Sequence, residues 1–217
     1  MGTPLLDTTA TVLAGIPYTL AVTAVSLTLG GVLGVPLALA RRSHLLALQL
    51  PARIVIDVLR GIPPVVWLFI LFFGIGNELI TLDPFTAGCL GLGLISAAYL
   101  AEIYRGGLSA VHAGQWEASA ALGMGGTTAL TRIVGPQALR VALPSASTYA
   151  IGLLKDSSVV SAIGIADIVY RATAESRSTG AGLGPFLVAA AVYIVLGTPL
   201  AYAARRMDTR LRQRVAR

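Results

Sequence analysis

An all-α integral membrane fold with five transmembrane helices is the architecture this 217-residue sequence predicts. Three observations carry it. Hydrophobic residues make up 55% of the chain and charged residues 12%, about half the charged share of a soluble domain. The mean hydropathy is +0.78, more apolar surface than a soluble chain could cover and the opposite of a disordered composition. The charges punctuate long apolar runs, and the arginines crowd the ends of those runs on one side.

The runs are read in order as one domain over residues 1–217, with spans at about 16–40, 54–77, 84–104, 144–166 and 185–204. No charge falls between Asp7 and Arg41, so the first run is long enough to cross a bilayer. The second lies between Arg60 and Glu78, its helix starting near Ile54 with Asp57 and Arg60 close to the interface. Pro63-Pro64 kinks or starts it, since neither residue donates a backbone hydrogen bond. The third runs from Pro84 to Ala101 and the fifth from about Pro185 to Ala204. The fourth has only 14 uncharged residues from Val141 to Leu154 before Lys155-Asp156, too few to span. It reads either as one helix of about 20 residues from Pro144 with a charged pair near its middle, or as a re-entrant segment.

Five spans put the termini on opposite sides. Arg41, Arg42, Arg53 and Arg60 flank the first connection, Arg105, Arg132 and Arg140 the third, and six further arginines lie in the C-terminal tail. The other side holds only Arg171 and Arg177, so the positive-inside rule places the N-terminus outside and the tail in the cytoplasm. The first eleven residues lack a basic n-region and the run that follows is too long for a removable signal peptide. Gly30 and Gly34 form a small-residue pair in the first span, and Gly88, Gly91 and Gly93 crowd the third, as close helix packing requires.

Several chemistries are excluded. One cysteine, Cys89, rules out an internal disulfide or a Cys-rich zinc site. His44 and His112 are far apart, and no His-Glu-x-x-His or Gly-x-Ser-x-Gly occurs. The only lysine, Lys155, follows Leu154, so no Walker A loop holds ATP on this chain. The net charge of +6 follows from the arginine bias at the membrane rather than from nucleic-acid binding.

Residues of about 105–143 form a loop neither apolar enough to span nor polar enough to be disordered. Glu117 to Leu122 are good helix formers ending near Gly123, and Thr127 or Thr128 caps a second short helix that stops before Pro136. One carboxylate among small side chains suits docking into a partner's groove; a plain interfacial loop is the other reading. Here the sequence resembles a known family. Glu117-Ala118-Ser119, Gly123, Ile133 and Pro136 are similar to the EAA loop of type I ABC importer permeases, with Ser119 for the second alanine and Gly135 for the usual leucine. Arg60-Gly61-Ile62-Pro63, Ala98 to Gly107, Gly114 to Glu117, Pro136 to Arg140, and Leu153 to Gly164 resemble the polar amino acid branch. Trp67 and Pro64 depart from it. The likeness extends from about Thr11 to Arg214.

The resemblance implies a five-span permease subunit, not an enzyme, in a bacterial cytoplasmic membrane. It implies pairing as a homodimer or with a sister permease, ABC ATPase subunits that bind ATP and Mg below, and an extracellular solute-binding protein above. No cofactor is expected on this chain. Glu117, Ala118, Ser119, Gly123, Ile133 and Pro136 are then the ATPase-coupling residues, with Glu117 anchoring the loop and Gly123 the hinge.

Charges inside a bilayer cost a few kcal/mol by insertion scales, so Glu102, Lys155 and Asp156, with the hydroxyls of Ser157 and Ser158, are candidates for the substrate path. Lys155 and Asp156 point about 100° apart on a helix and each needs another partner. Either they contact a zwitterionic solute or they hold helices together. Glu102 and Arg105 are spaced for an i,i+3 salt bridge. An ion-gradient-driven secondary transporter is the competing function.

Overall fold

The computed structural model describes residues 4–75 and 81–215 and is helical throughout, with no strand among them. In chain order the helices are α1 (Pro4–Leu13), α2 (Ile16–Arg41), α3 (Leu46–Gly61), α4 (Pro64–Phe69, continued by a π turn Ile70–Ile75), α5 (Pro84–Ala110), α6 (Ala113–Ala121), α7 (Gly126–Ala129, continued by a π turn Leu130–Val134), α8 (Gly135–Asp156, continued by a 3₁₀ stretch Ser157–Ile163), α9 (Ile168–Thr179) and α10 (Gly184–Val215). The expected end of the second span near Asn77 and Glu78, and Arg217 of the basic tail, lie outside the described residues.

Three helical stretches are long and apolar enough to cross a membrane: Leu6–Arg41, Pro84–Ala110 and Gly184–Arg206. A fourth candidate is a bent pair of helices, the geometry of a broken span or of a re-entrant loop. α3 and the helix from Pro64 to Gly74 meet at 103°, where Pro63 and Pro64 remove two backbone donors in succession. The expected kink is therefore a sharp bend, and α3 starts eight residues before Ile54.

The expected fourth span is built differently from a single helix of about 20 residues starting at Pro144. α8 begins at Gly135, carries Pro144 in its interior, and ends at Asp156. The chain then tightens to 3₁₀ geometry and stops at Gly164, which takes φ +89. Lys155 and Asp156 thus close a helix rather than interrupt one. The C-terminal carbonyls of α8 favour the ammonium there, and the tighter turn gives the carbonyls alternative donors.

Small residues set the central packing. α2 lies on α5 with Gly30 and Gly34 against Ser96, Ala97 and Leu100. Between lipid-like surfaces, van der Waals fit of this kind drives helix association in place of water exclusion. α5 is the axis of the fold, with 67% of its most apolar window buried, against 11% for α10. Around α5 a core of Val22, Leu68, Leu92, Ile95, Leu153, Val160 and Ile163 joins α2, α4, α8 and the 3₁₀ stretch. Asp83 caps α5, its Oδ1 accepting from the Thr86 amide at 3.1 Å. At the Asp83 end of α5, α1, α9 and α10 close a second small core of Val12, Ile168, Ala172, Ala189 and Val192.

Candidate functional site

Two regions gather the residues of interest. The first is the connection between α5 and α8. Val111 turns the chain out of α5 in extended conformation, and the His112 Nδ1 caps α6 by accepting from the Gly114 amide at 3.1 Å. Trp116 packs inward on Leu108, Val111, Val134 and Ala138. Ser119, one turn on, is buried and donates to the Gln115 carbonyl at 2.7 Å. The Gln137 amide reaches across to Gln115 at 3.0 Å, fixing α6 to the first turn of α8.

With Trp116 and Ser119 facing in, Glu117, Ala118, Ala121 and Leu122 face out and are exposed. These are two i,i+4 pairs on one side of a helix. Leu122 is 80% exposed, an isolated large apolar side chain at the tip of the connection. α6 ends as the sequence predicts. Gly123 takes φ +72, its amide bonds to the Ala120 carbonyl at 2.9 Å, and the Met124 amide bonds to the Ser119 carbonyl at 3.0 Å. This is the Schellman closure, which needs the left-handed conformation that glycine supplies without strain.

The second short helix departs from expectation. Its cap is Gly125, with no side-chain bond, rather than Thr127 or Thr128. Nor does it stop before Pro136: α7 widens into a π turn containing Ile133, and the Gly135 amide bonds back five residues to the Leu130 carbonyl. The extra residue of a π turn accommodates Pro136, which has no amide to give, so α7 runs into α8 without a break. α7 and α8 therefore form one continuous helical path from Gly126 to Asp156.

The second region lies at the bend after α3. The Arg60 guanidinium sits over the Tyr99 ring, 4.8 Å from its centroid. Tyr99 stacks on Tyr149 with centroids 5.2 Å apart and planes 20° apart. The Tyr149 hydroxyl donates to Ser96 at 2.9 Å. Ser96 and Tyr99 are near the middle of α5, so this column stands at mid-helix level. No spacing in the sequence links the two tyrosines to Arg60. The available signal was a charge placed immediately before a Gly-Ile-Pro-Pro helix break inside an apolar run.

The proposed path residues separate. Lys155 and Asp156 are exposed at the end of α8. Ser157 is buried and its hydroxyl donates to the Leu154 carbonyl at 2.8 Å, which removes it from that surface. Ser158 is partly buried and its carbonyl accepts from the Ser161 hydroxyl. Glu102 is engaged in the i,i+3 bridge, with Arg105 at 2.7 Å, and lies 3.9 Å from Arg41. It ties the C-terminal end of α2 to α5. No group of three or more His, Cys, Asp or Glu among the described residues could hold a metal ion.

Residues 30–213 match the family described as binding-protein-dependent transport system inner membrane component. The chain belongs to that family. The permease is 40% identical over 161 residues, 74% of this chain and 71% of the other, to YckA, a probable amino-acid ABC transporter permease protein of Bacillus subtilis (strain 168). It is 30% identical over 207 residues, 95% of this chain and 96% of the other, to GlnM, a probable glutamine ABC transporter permease protein of the same strain. It is 38% identical over 201 residues, 88% and 82% of the two chains, to OccM, an octopine transport system permease protein of Rhizobium radiobacter. A crystal structure of an amino acid ABC transporter with histidines superposes with a TM-score of 0.88 at 32% identity, covering 97% of this chain and 100% of the other. The MetNI methionine transporter shares the fold, with a TM-score of 0.82 at 20% identity over 97% of this chain and 99% of the other.

The permease is thus an inner-membrane subunit of an ABC importer, and not itself an enzyme; ATP hydrolysis belongs to a separate subunit. The ion-gradient reading finds no support in these relatives.

Proposed function

We propose that this permease forms half of the translocation path of an ATP-driven importer for polar amino acids or related small zwitterionic solutes. It works beside a second permease, of the same or a sister sequence, in the lipid bilayer. Five crossings, with the N-terminus outside, are the reading that the arginine distribution favours. The substrate class rests on the named relatives, which include amino-acid, glutamine and octopine permeases.

The observation that carries the coupling is the outward face of α6. Glu117 and Leu122 stand exposed on a helix whose other face is locked to the bundle by Trp116 and the Gln115–Gln137 bond. That face suits the groove of an ATPase subunit: a carboxylate for a donor, a leucine for an apolar pocket, and small Ala118 and Ala121 between them for close approach. Closure of the ATPase pair on ATP and Mg pulls α6, and the α7–α8 helix carries the displacement to Lys155 and Asp156. An extracellular binding protein delivers solute at the other end. Ile133 and Pro136 act through the π turn, and Gly123 as the fixed corner.

Glu117→Ala tests this. Uptake in the assembled complex should fall about tenfold or more, the size expected when a charge-assisted contact at an interface loses its partner. ATPase recovered with the purified permease should fall with it while the permease itself stays folded. Wild-type uptake and full ATPase recovery from Glu117→Ala would remove α6 as the coupling element.

A further inference from the structure

A groove opens where α2, α5 and the α7–α8 helix meet, walled by Val35, Ala38 and Leu39 of α2, Leu108 of α5, and Leu139 and Ala142 of α8. Its volume is about 310 Å³, enough for a small apolar ligand. The polar groups in the wall are already bonded. The Tyr104 hydroxyl donates to the Gly31 carbonyl, the Thr131 hydroxyl to the Thr127 carbonyl at 2.9 Å, and the Gly135 amide to the Leu130 carbonyl. A wall without a free donor or acceptor holds water poorly and accepts hydrocarbon. Val35 and Leu39 are exposed, and with Val25 and Val32 they form one apolar stripe along α2.

One end of the groove is basic. Arg41 of α2 lies 3.9 Å from Glu102 of α5, and Gly107 of α5 packs on Ala138 and Ala142. The C-terminal ends of α2 and α5 and the start of α8 therefore share a side. Arg42 continues the α2 wall, since it stands three residues beyond Leu39, four beyond Ala38 and seven beyond Val35. Arg132 directly follows Thr131 of the opposite wall. Both arginines are exposed, and neither makes an ion pair among the described residues. Their neighbours differ: Arg41 and Arg105 share Glu102, and Arg53 pairs with Asp57.

We propose that this groove binds an anionic phospholipid, with an acyl chain between α2 and α8 and its phosphate between Arg42 and Arg132. The charge pattern selects this occupant. Guanidinium groups bind phosphate through paired N–H bonds, and the apolar walls match a lipid chain. A helix of a neighbouring subunit would have to bring its own carboxylate to the mouth of the groove, whereas a phospholipid carries anion and chain in one molecule. Basic pockets between spanning helices hold anionic headgroups in this way. The inference needs only the inner-membrane setting of the family and not the identity of the cargo. In the topology proposed above, the lipid belongs to the cytoplasmic leaflet. Leu130 and Thr131 of the π turn are part of the wall, so the lipid also touches the segment that joins α6 to α8.

The test uses the complex of permease and ATPase subunits in phosphatidylcholine nanodiscs that contain a minor fraction of phosphatidylglycerol with a photoreactive acyl chain. After illumination, the modified peptides are read by mass spectrometry. Label should fall on segments 35–42 and 130–142, and unlabelled phosphatidylglycerol should compete it away where added phosphatidylcholine does not. Arg42→Gln and Arg132→Gln should each reduce it about fivefold. Val35→Trp, which fills the groove and keeps both charges, should suppress it and decides the matter if the arginine variants do not assemble. Equal labelling by a phosphatidylcholine probe overturns the proposal, because the face is then ordinary lipid contact. Undiminished labelling in the assembled arginine variants or in Val35→Trp overturns it as well. So does an unlabelled groove in which Val35→Cys crosslinks to a neighbouring subunit, since the face is then a subunit interface.

Discussion

Gly30 and Ser96 touch so closely that a β-carbon on Gly30 would lie 2.3 Å from the β-carbon of Ser96. The same Ser96 accepts the Tyr149 hydroxyl that steadies the Arg60 column. The approach of α2 to α5 therefore sets the position of that column as well as the packing around it.

Gly30→Ala should force these helices apart at a cost of about 1–3 kcal/mol. Gly31→Ala is the control, because its β-carbon would meet only the Tyr104 hydroxyl at 3.7 Å. Differential scanning fluorimetry of the purified permease should show a lower melting temperature for the first variant and little change for the second. Equal melting temperatures would mean that α2 and α5 are not in contact at this point.

Acid should act on the opposite end of the molecule. Asp167 caps α9, its Oδ1 accepting from the Tyr170 amide at 2.8 Å, while its Oδ2 and the Arg171 Nε one turn on are buried without partners. Burial pushes the carboxyl up to about 6. An unfolded aspartate releases its proton near 3.9, so between roughly pH 4 and 6 the native state holds more protons than the unfolded one. Stability therefore falls as pH rises across that window and levels off above it. Asp167→Asn keeps a cap acceptor and removes the buried charge. It should raise the melting temperature at pH 7–8 and match wild type below about pH 4. A difference that does not change with pH would contradict this.

The orientation is open to chemical labelling. Cys89 is the only cysteine in the chain and is buried, so a single introduced thiol reports alone. Leu122→Cys should react with a membrane-impermeant maleimide only in inside-out vesicles, and Ala181→Cys only in intact spheroplasts or cells. The reverse pattern would invert the proposed topology.

The parts of the fold written in local sequence were legible; those set by distant contacts were not. The extent of α2, expected at about 16–40 and found at Ile16–Arg41, follows from an uncharged run closed by paired arginines. Gly123 follows from a helix-forming run ended by glycine, and the Glu102–Arg105 bridge from a three-residue spacing. α1 was missed because its packing partners, α9 and α10, are more than 150 residues away. The π turn at Leu130–Val134 was missed because Pro136 reads as a stop, whereas one inserted residue lets a helix absorb it. The Arg60 column joins residues 60, 96, 99 and 149 across three helices, and no spacing rule connects them. Ser157 was named for its hydroxyl beside Lys155 and Asp156; its burial at the start of the 3₁₀ turn, with that hydroxyl on the Leu154 carbonyl, is not written in the local sequence.

Energy source and cargo are settled together by uptake into proteoliposomes that contain this permease with its co-purifying subunits and binding protein. They are offered a mixed pool of amino acids, opines and related zwitterions, with and without internal ATP, and their contents are read by mass spectrometry. The account predicts that one polar amino acid or close relative accumulates only when ATP is present, and that an ionophore leaves its uptake unchanged. Accumulation without ATP that collapses on adding the ionophore would contradict it.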